Sequence, residues 1–167
     1  ACILLGAAFD NNLLCLAEKQ VFVVESVFDA MLQAMERVGA VKLNDAEIRK
    51  LTDLAILPGD EHPVANRDFV GKDASELARA AGRTVPESCE LVFGVVEANH
   101  PFVQAEQMMP FLPFTKARNI DEAIAMAVQS EHGFRHTAII HSHNVINMTK
   151  MGKAVDTTIF VKNGASL

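Results

Sequence analysis

One cysteine of this sequence lies in a setting that suits a nucleophile. Cys15 follows the polar pair Asn11 and Asn12, which favours a turn, and precedes the apolar run at residues 21–24, which is typical of a buried strand. A thiol between a turn and a rigid strand would be both anchored and accessible, as thiolate chemistry requires. Free cysteine is also among the most buried residue types, so a structural role in the core is the alternative.

The other two cysteines, Cys2 and Cys89, lack that setting, and we predict that they are structural. The three cysteines are odd in number and lie far apart in the sequence. A disulfide framework is therefore not expected, and a reducing compartment fits better.

Four histidines lie close together in the sequence and raise the question of a metal site: His132, His136, His141 and His143. His132 and His136 have the i,i+4 spacing of a helix face, but Gly133 separates them, and no Cys-x-x-Cys or His-Glu-x-x-His pattern accompanies them. We therefore predict no metal. A histidine that leads into a strand, as His136 does, is instead a candidate general base. The alternative is a loop histidine that caps a carbonyl.

Glu106 is a third candidate. It opens the segment Glu106-Gln107-Met108-Met109-Pro110, directly before a predicted strand. A carboxylate in that position could accept hydrogen bonds from sugar hydroxyls. The alternative is an ordinary solvated glutamate.

The elements that must position these residues are predicted from the pattern of apolar residues. Strands are expected at residues 21–25, 91–96, 111–116, 137–141 and 158–161. Within the third of these, Pro113 should make the strand imperfect or edge-like. Residues 58–68 are polar and read as a loop. Helices are expected between the strands, and four of them have candidate N-caps: Ser26, Asn44, Asp73 and Asn119.

This alternation predicts an α/β fold: a layered domain with a mostly parallel sheet and flanking helices. Functional residues of such sheets gather in loops at one edge. No Gly-x-Gly-x-x-Gly run occurs, so the sequence carries no dinucleotide-binding fingerprint.

Length and composition limit the function classes. The 167 residues suit one domain, and half of them are hydrophobic, which allows a substantial core. A net charge of −6 argues against nucleic acid or an anionic membrane as the main partner. No apolar run approaches the roughly 18 residues of a membrane span, and no signal peptide is visible. Both ends look cut, so we expect a fragment of a longer chain.

Taken together, four segments resemble the aldehyde dehydrogenase superfamily, and specifically its CoA-acylating branch, the bacterial acetaldehyde and propionaldehyde dehydrogenases. The resemblance covers essentially the whole chain. The Asp-Asn-Asn-x-x-Cys form around Cys15 is similar to the catalytic-cysteine motif of that branch, and no Gly-Gln pair of the hydrolytic enzymes precedes it. The other similar segments are residues 106–110, with Met108 in place of an aromatic residue, 131–137 and 159–164.

The resemblance implies that residues 1–167 are the catalytic domain, without the nucleotide-binding domain. Cys15 would be the nucleophile and form a thioester, with its oxyanion held by the Cys15 backbone N–H and a side-chain amide from elsewhere. His136 would be the base, and Glu106, Met108 and Pro110 would bind the cofactor. NAD, coenzyme A as co-substrate and a small aldehyde are implied. The resemblance also implies a homo-oligomer and a cytoplasmic location, which in some relatives is the inside of a bacterial microcompartment.

Two other hypotheses remain beside this one. The first is a CoA- or nucleotide-binding module of the same fold without catalysis, in which the Cys15 thiol would be unactivated. The second is a structural subunit of a larger assembly, which the apolar composition allows but no residue supports. We also expect that these 167 residues alone show no dehydrogenase turnover.

Overall fold

Helices alternate with strands along the chain, as the sequence predicts. The computed structural model describes residues 1–167. The α-helices are α1 (Cys2–Ala8), α2 (Phe28–Arg37), α3 (Asp45–Ala55), α4 (Ala74–Ala81), α5 (Pro101–Gln104), α6 (Ile120–Ser130) and α7 (Val145–Val155). The strands are β1 (Val21–Val24), β2 (Val41–Lys42), β3 (Ile56–Leu57), β4 (Val64–Ala65), β5 (Val92–Val95), β6 (Phe111–Ala117), β7 (Thr137–Ile140) and β8 (Ile159–Lys162). No helix has the length and apolar character that a membrane span needs.

The central sheet has four strands in the order β1-β6-β5-β2, and every pairing in it is parallel. The predicted α/β fold is confirmed. The expectation that Pro113 makes its strand edge-like is wrong, because β6 pairs on both sides. Pro113 lies opposite Gly94, and the pairing with β1 begins only at Phe114. Pro113 has no N–H to donate, but it precedes the first residue of β6 that pairs with β1, so that pairing loses no hydrogen bond.

Helices cover both faces of this sheet. Phe93 and Leu112 are buried in one apolar cluster with residues of α2, whereas Val92 and Phe111 are buried in another with residues of α3 and α4. Neighbouring residues of a strand point to opposite faces. The continuous apolar runs of β5 and β6 therefore supply two cores at once, which is typical of a parallel sheet between helix layers.

Two smaller sheets accompany the central one. Strands β7 and β8 form a separate parallel pair, with Thr137 opposite Ile159, and α7 connects them. Strands β3 and β4 form an antiparallel pair, with Ile56 opposite Ala65. Part of the predicted loop at residues 58–68 is thus a strand. Two-residue strands such as β4 are too short to show an alternating pattern in the sequence.

Of the predicted helix caps, Asn44 and Asn119 are confirmed. Asn44 forms a capping box with Glu47 at the start of α3, and the Asn119 side chain accepts two N–H bonds of α6. Ser26 does not cap α2, because a 3₁₀ turn, Glu25–Val27, comes before that helix. Asp73 precedes α4 without a cap bond, because its carboxylate is engaged by Asn11 instead.

Candidate active site

A tight turn precedes Cys15, as the sequence predicts. Three consecutive residues, Asp10, Asn11 and Asn12, have left-handed φ angles of 47°, 51° and 65°. Asp and Asn tolerate this conformation better than other side-chain-bearing residues. Asn11 fixes the turn from outside, because its Nδ2 donates to the Gly71 carbonyl at 3.0 Å and to Asp73 Oδ1 at 2.8 Å. The Asp-Asn-Asn run thus suits the left-handed backbone of this turn.

Asn12 closes the loop that carries Cys15. Its buried Nδ2 donates to the Ala7 carbonyl at 2.7 Å and to the Glu18 carbonyl at 2.9 Å. Both of its oxygens accept hydrogen bonds from Lys19 Nζ, each at 2.7 Å. Residue 12 is thereby tied to residues 18 and 19, so the intervening loop has fixed ends next to β1.

Cys15 is exposed at the top of this loop and opens into a cavity of about 910 Å³. The same cavity is lined by Lys19, Glu106 and His136. The Cys15 backbone N–H has no hydrogen-bond acceptor within the protein. An accessible thiol beside a free N–H can form a bond to a carbonyl carbon while the N–H binds the carbonyl oxygen.

His136, directly before β7, also lines this cavity. It is exposed, and its Nδ1 lies 2.6 Å from Thr137 Oγ1. Its backbone carbonyl accepts a hydrogen bond from Ile159 N at 3.0 Å, which fixes the start of β7 against β8. The preceding Arg135 has a left-handed φ of 54° and pairs with Asp156 at 3.1 Å. His136 and Cys15 are 121 residues apart in the sequence, and the fold brings both to the same cavity.

Glu106 is exposed in the same cavity and makes no hydrogen bond or ion pair with another residue. The residue after it, Gln107, is fully buried and was not singled out from the sequence. Its Nε2 donates to the Lys19 carbonyl at 2.8 Å and to the Phe102 carbonyl. Gln107 thus ties the Glu106 segment to the end of the Cys15 loop. A glutamine next to an exposed glutamate gives no sequence signal that it is buried.

Met108 and Pro110 do not line the cavity. Met108 is half-buried with a left-handed φ of 50°, and its carbonyl accepts a hydrogen bond from Gly71 N at 2.9 Å. Pro110 is buried, and its carbonyl accepts one from Val92 N at 3.0 Å. Of the predicted cofactor-binding residues, only Glu106 faces the cavity, while these two shape the backbone behind it.

The neighbours Glu18 and Lys19 have separate partners. The Glu18 carboxylate is buried over Gly6 and accepts hydrogen bonds from Ser166 Oγ at 2.9 Å and Ser166 N at 3.3 Å. Burial raises the pKa of Glu18, and the bonds from Ser166 oppose that rise. Burial lowers the pKa of Lys19 to about 8, and the charges of Glu106 and Cys15 oppose that fall.

The remaining histidines are scattered around this region. The His132 ring packs on the His62 ring, with centroids 4.1 Å apart. His141 lines the cavity, and burial lowers its pKa. His143 is exposed and does not line the cavity. No group of three or more His, Cys, Asp or Glu side chains is arranged to hold a metal ion.

The chain is similar to proteins of known function. No protein-family model matches the chain. A curated relative, "Acetaldehyde dehydrogenase (acetylating) EutE" of Salmonella typhimurium, is 47% identical over 164 residues, which are 97% of this chain. The chain belongs to the aldehyde dehydrogenase superfamily. It spans 35% of the length of that relative.

Several solved structures are similar to it. A propionaldehyde dehydrogenase of Rhodopseudomonas palustris, solved with CoA and an acylated cysteine, is 41% identical with a TM-score of 0.91. A propionaldehyde dehydrogenase of a Clostridium phytofermentans microcompartment is 39% identical with a TM-score of 0.92. An engineered glycolyl-CoA reductase with bound NADP⁺ is 40% identical with a TM-score of 0.91. These matches cover 98–99% of this chain and 37% of each of those chains.

Proposed function

We propose that the protein carrying these residues is a CoA-acylating aldehyde dehydrogenase, which oxidises a short-chain aldehyde to an acyl-CoA with NAD or NADP. The observation that carries this proposal is the Cys15 loop: an exposed thiol with a free backbone N–H, held between a left-handed turn and a core strand. The acylated cysteine in the Rhodopseudomonas palustris relative supports the same chemistry.

The reaction begins at Cys15. Its thiolate attacks the aldehyde carbonyl carbon to give a thiohemiacetal, and the Cys15 N–H donates to the oxygen that becomes negative. After hydride loss the acyl group remains on Sγ as a thioester. The CoA thiol then attacks that carbonyl, which releases the acyl-CoA and restores the thiolate. His136 accepts the proton that the CoA thiol loses, and the whole is a ping-pong scheme.

The nicotinamide cofactor, when bound, supplies the hydride acceptor. Glu106 fits such a group, because its exposed carboxylate has no partner in the protein and faces the cavity that contains Cys15. We assign it to the ribose hydroxyls, which donate to carboxylates. Met108 and Pro110 contribute by fixing the backbone behind Glu106.

The domain composition, oligomeric state and location that we propose for the whole protein are those suggested by its relatives. We propose a nucleotide-binding domain elsewhere in the same protein and a homo-oligomer. The location would be cytoplasmic or inside a bacterial microcompartment, since one similar enzyme comes from a microcompartment. Small aldehydes and CoA are the proposed ligands, whereas the net charge of −6 gives no support for nucleic acid or membranes as partners.

The decisive experiment replaces Cys15 in the complete protein. Cys15→Ala should abolish acyl-CoA formation from acetaldehyde or propionaldehyde, measured by acyl-CoA and NAD(P)H yield. Cys2→Ala is the matched control, because Cys2 is also an exposed free cysteine but does not line the cavity. Turnover that survives in Cys15→Ala would contradict the proposal. A wild-type protein that binds CoA without turnover would favour the non-catalytic module instead.

A further inference from the structure

One buried side chain joins the two segments that carry the nucleophile and the cofactor carboxylate, residues 9–20 and residues 104–110. Gln107 is fully buried, and its Nε2 donates to the Lys19 carbonyl at 2.8 Å, across 88 positions of sequence. No other hydrogen bond joins the two segments directly. The relative placement of the segments therefore depends on this one amide.

The Gln107 amide has a fixed direction and an unusual cost. Its Nε2 also donates to the Phe102 carbonyl, and both partners are acceptors, so the nitrogen must face them. Its Oε1 is buried without a hydrogen-bond partner among residues 1–167. A buried polar atom without a partner lowers stability. Local rules are broken in this way where a site needs a particular geometry, which directs attention to what Gln107 holds.

On one side, Gln107 holds the end of the loop that carries Cys15. Lys19 Nζ donates to both oxygens of the buried Asn12, each at 2.7 Å, which closes this loop. Inside the loop, Ala17 N donates to the Leu14 carbonyl at 3.0 Å, so that Cys15 lies within a tight turn. Each step from the Lys19 carbonyl to Cys15 is thus short and hydrogen-bonded.

On the other side, Gln107 holds the backbone of Glu106. The neighbours Ala105 and Gln107 are both buried, and Ala105 N donates to the Pro101 carbonyl at 2.9 Å. The exposed Glu106 carboxylate therefore projects from a backbone that is fixed before and after it.

A second connection between the two segments is indirect. Gly71 N donates to the Met108 carbonyl at 2.9 Å, and the Gly71 carbonyl accepts from Asn11 Nδ2 at 3.0 Å. This route runs through a third segment of the chain, whereas the bond from Gln107 to Lys19 is direct and buried. Gln107 is thus the shorter and stiffer of the two connections.

We propose that Gln107 is a positioning residue for the hydride step: by binding the Lys19 carbonyl, it fixes the Glu106 carboxylate relative to Cys15. This inference rests on the proposed function in the roles of Cys15 and Glu106. In that step the oxyanion carbon on Cys15 loses a hydride to the oxidised nicotinamide and becomes the thioester carbonyl. Its rate depends on the distance and angle between donor and acceptor, which Glu106 influences through the ribose.

The kinetic test compares two half-reactions of the complete protein. Gln107→Met retains the length of the side chain and removes its donor. The burst of NADH formation should slow by roughly a hundred-fold, the scale of a misplacement of about 1 Å. A deuterium isotope effect with C1-deuterated aldehyde should grow, because hydride transfer becomes slower than the other steps. Acyl exchange between acyl-CoA and Cys15 needs no nicotinamide and should stay within about three-fold of wild type.

Cofactor placement is measured without turnover, in a Cys2→Ser background that removes the other exposed cysteine. Titration with NADH, or with NADPH if it binds more tightly, gives the dissociation constant, and iodoacetamide measures how well the bound nucleotide protects Cys15. Gln107→Met should bind the nucleotide within about three-fold of wild type, because Glu106 is unchanged, but should lose most of the protection. Glu106→Gln should instead weaken binding.

Gln104→Met is the matched control. It removes another glutamine amide that donates to a main-chain carbonyl, that of Ala98 at 2.7 Å, but this bond does not reach residues 9–20. Its hydride step and its protection of Cys15 should stay within about three-fold of wild type. If the thermal melt shows that Gln107→Met does not fold, Gln107→Leu replaces it with the same expectations.

Three results would overturn the inference: an unchanged hydride step in Gln107→Met, equal slowing of the hydride step and acyl exchange, or full protection of Cys15 by the bound nucleotide. A protein without turnover that shows the expected binding and protection would contradict the proposed function and leave this inference standing. Turnover in wild type with no effect of Gln107→Met would do the reverse. A wild-type protein that binds neither nucleotide would contradict both.

Discussion

The two sides of the Cys15 cavity are held in different ways. The Cys15 loop is closed by buried side chains, since Asn12 and Gln107 are almost or fully inaccessible and make hydrogen bonds to main-chain carbonyls. The His136 segment lies on the surface. It is fixed by backbone bonds to β8 and by an ion pair between Arg135 and Asp156, whose side chains are 67% and 75% exposed.

This difference matches what each side must do in the proposed reaction. A nucleophile gains from a fixed geometry, because its attack depends on distance and angle. A base for the CoA thiol must be reachable from solvent, where CoA enters. Buried hydrogen bonds are expensive to break, whereas exposed ion pairs add little. Loss of the buried hydrogen bonds on the Cys15 side should therefore lower stability, whereas loss of the exposed His136 imidazole should slow turnover with little effect on stability.

The largest effect on stability is expected from Asn12→Ala. The change removes two buried donors and leaves Lys19 Nζ with one oxygen fewer, so the free energy of unfolding should fall by about 3 kcal/mol in a urea titration. Asn11→Ala is the matched control, because Asn11 has a similar left-handed φ but its two hydrogen bonds are part-buried and exposed. It should cost about 1 kcal/mol. Equal losses in the two variants would show that the turn conformation alone matters.

On the other side of the cavity, His136→Ala should slow acyl transfer to CoA by about a hundred-fold, the lower range for loss of a general base. Its melting temperature should stay near that of wild type, because the imidazole is exposed and bonds only to Thr137. Single-turnover transfer from the acylated protein measures the step directly. His143→Ala should behave as wild type, and an unchanged rate in His136→Ala would reduce His136 to a loop histidine.

Glu18 provides a pH test of the buried side. Burial raises its folded-state pKa above 4.5, so the folded protein retains a proton there that the unfolded chain has lost. This group therefore lowers stability as pH rises from about 4.5 through the raised pKa, and its cost is absent at lower pH. Relative to wild type, Glu18→Gln should gain stability between pH 4 and pH 8.

Urea titrations at several pH values would follow that gain. Glu36→Gln, at an exposed position, is the control and should show no such trend. A constant difference between Glu18→Gln and wild type across the range would contradict the assigned pKa direction.

The smallest effect is expected from Arg135→Ala. The ion pair with Asp156 is exposed on both sides, so its loss should change the free energy of unfolding by about 0.5 kcal/mol or less. Acyl transfer should also be unchanged if the backbone bonds to β8 are sufficient to hold His136. A large loss of stability would show that this surface side is as tightly held as the Cys15 loop.

Much of the fold followed from the sequence because the signals were local. The apolar runs predicted the strands β1, β5 and β6, and Asn44 with Glu47 predicted the start of α3. The position of β6 at the centre of the sheet did not follow, because Pro113 is tolerated only where its missing N–H meets no partner. That depends on where the neighbouring ladder begins, which is a property of the assembled sheet.

For the site, the sequence by itself determined the residue types and their local conformation: a cysteine after an Asp-Asn-Asn run that accepts left-handed angles, a histidine before a strand and a glutamate before another. Only the tertiary structure decided that these three share a cavity and that Met108 and Pro110 stay behind it. It also decided the partners of Lys19. The sequence does not show which oxygens will accept hydrogen bonds from a lysine, because its burial and its neighbours are set only once the chain has folded.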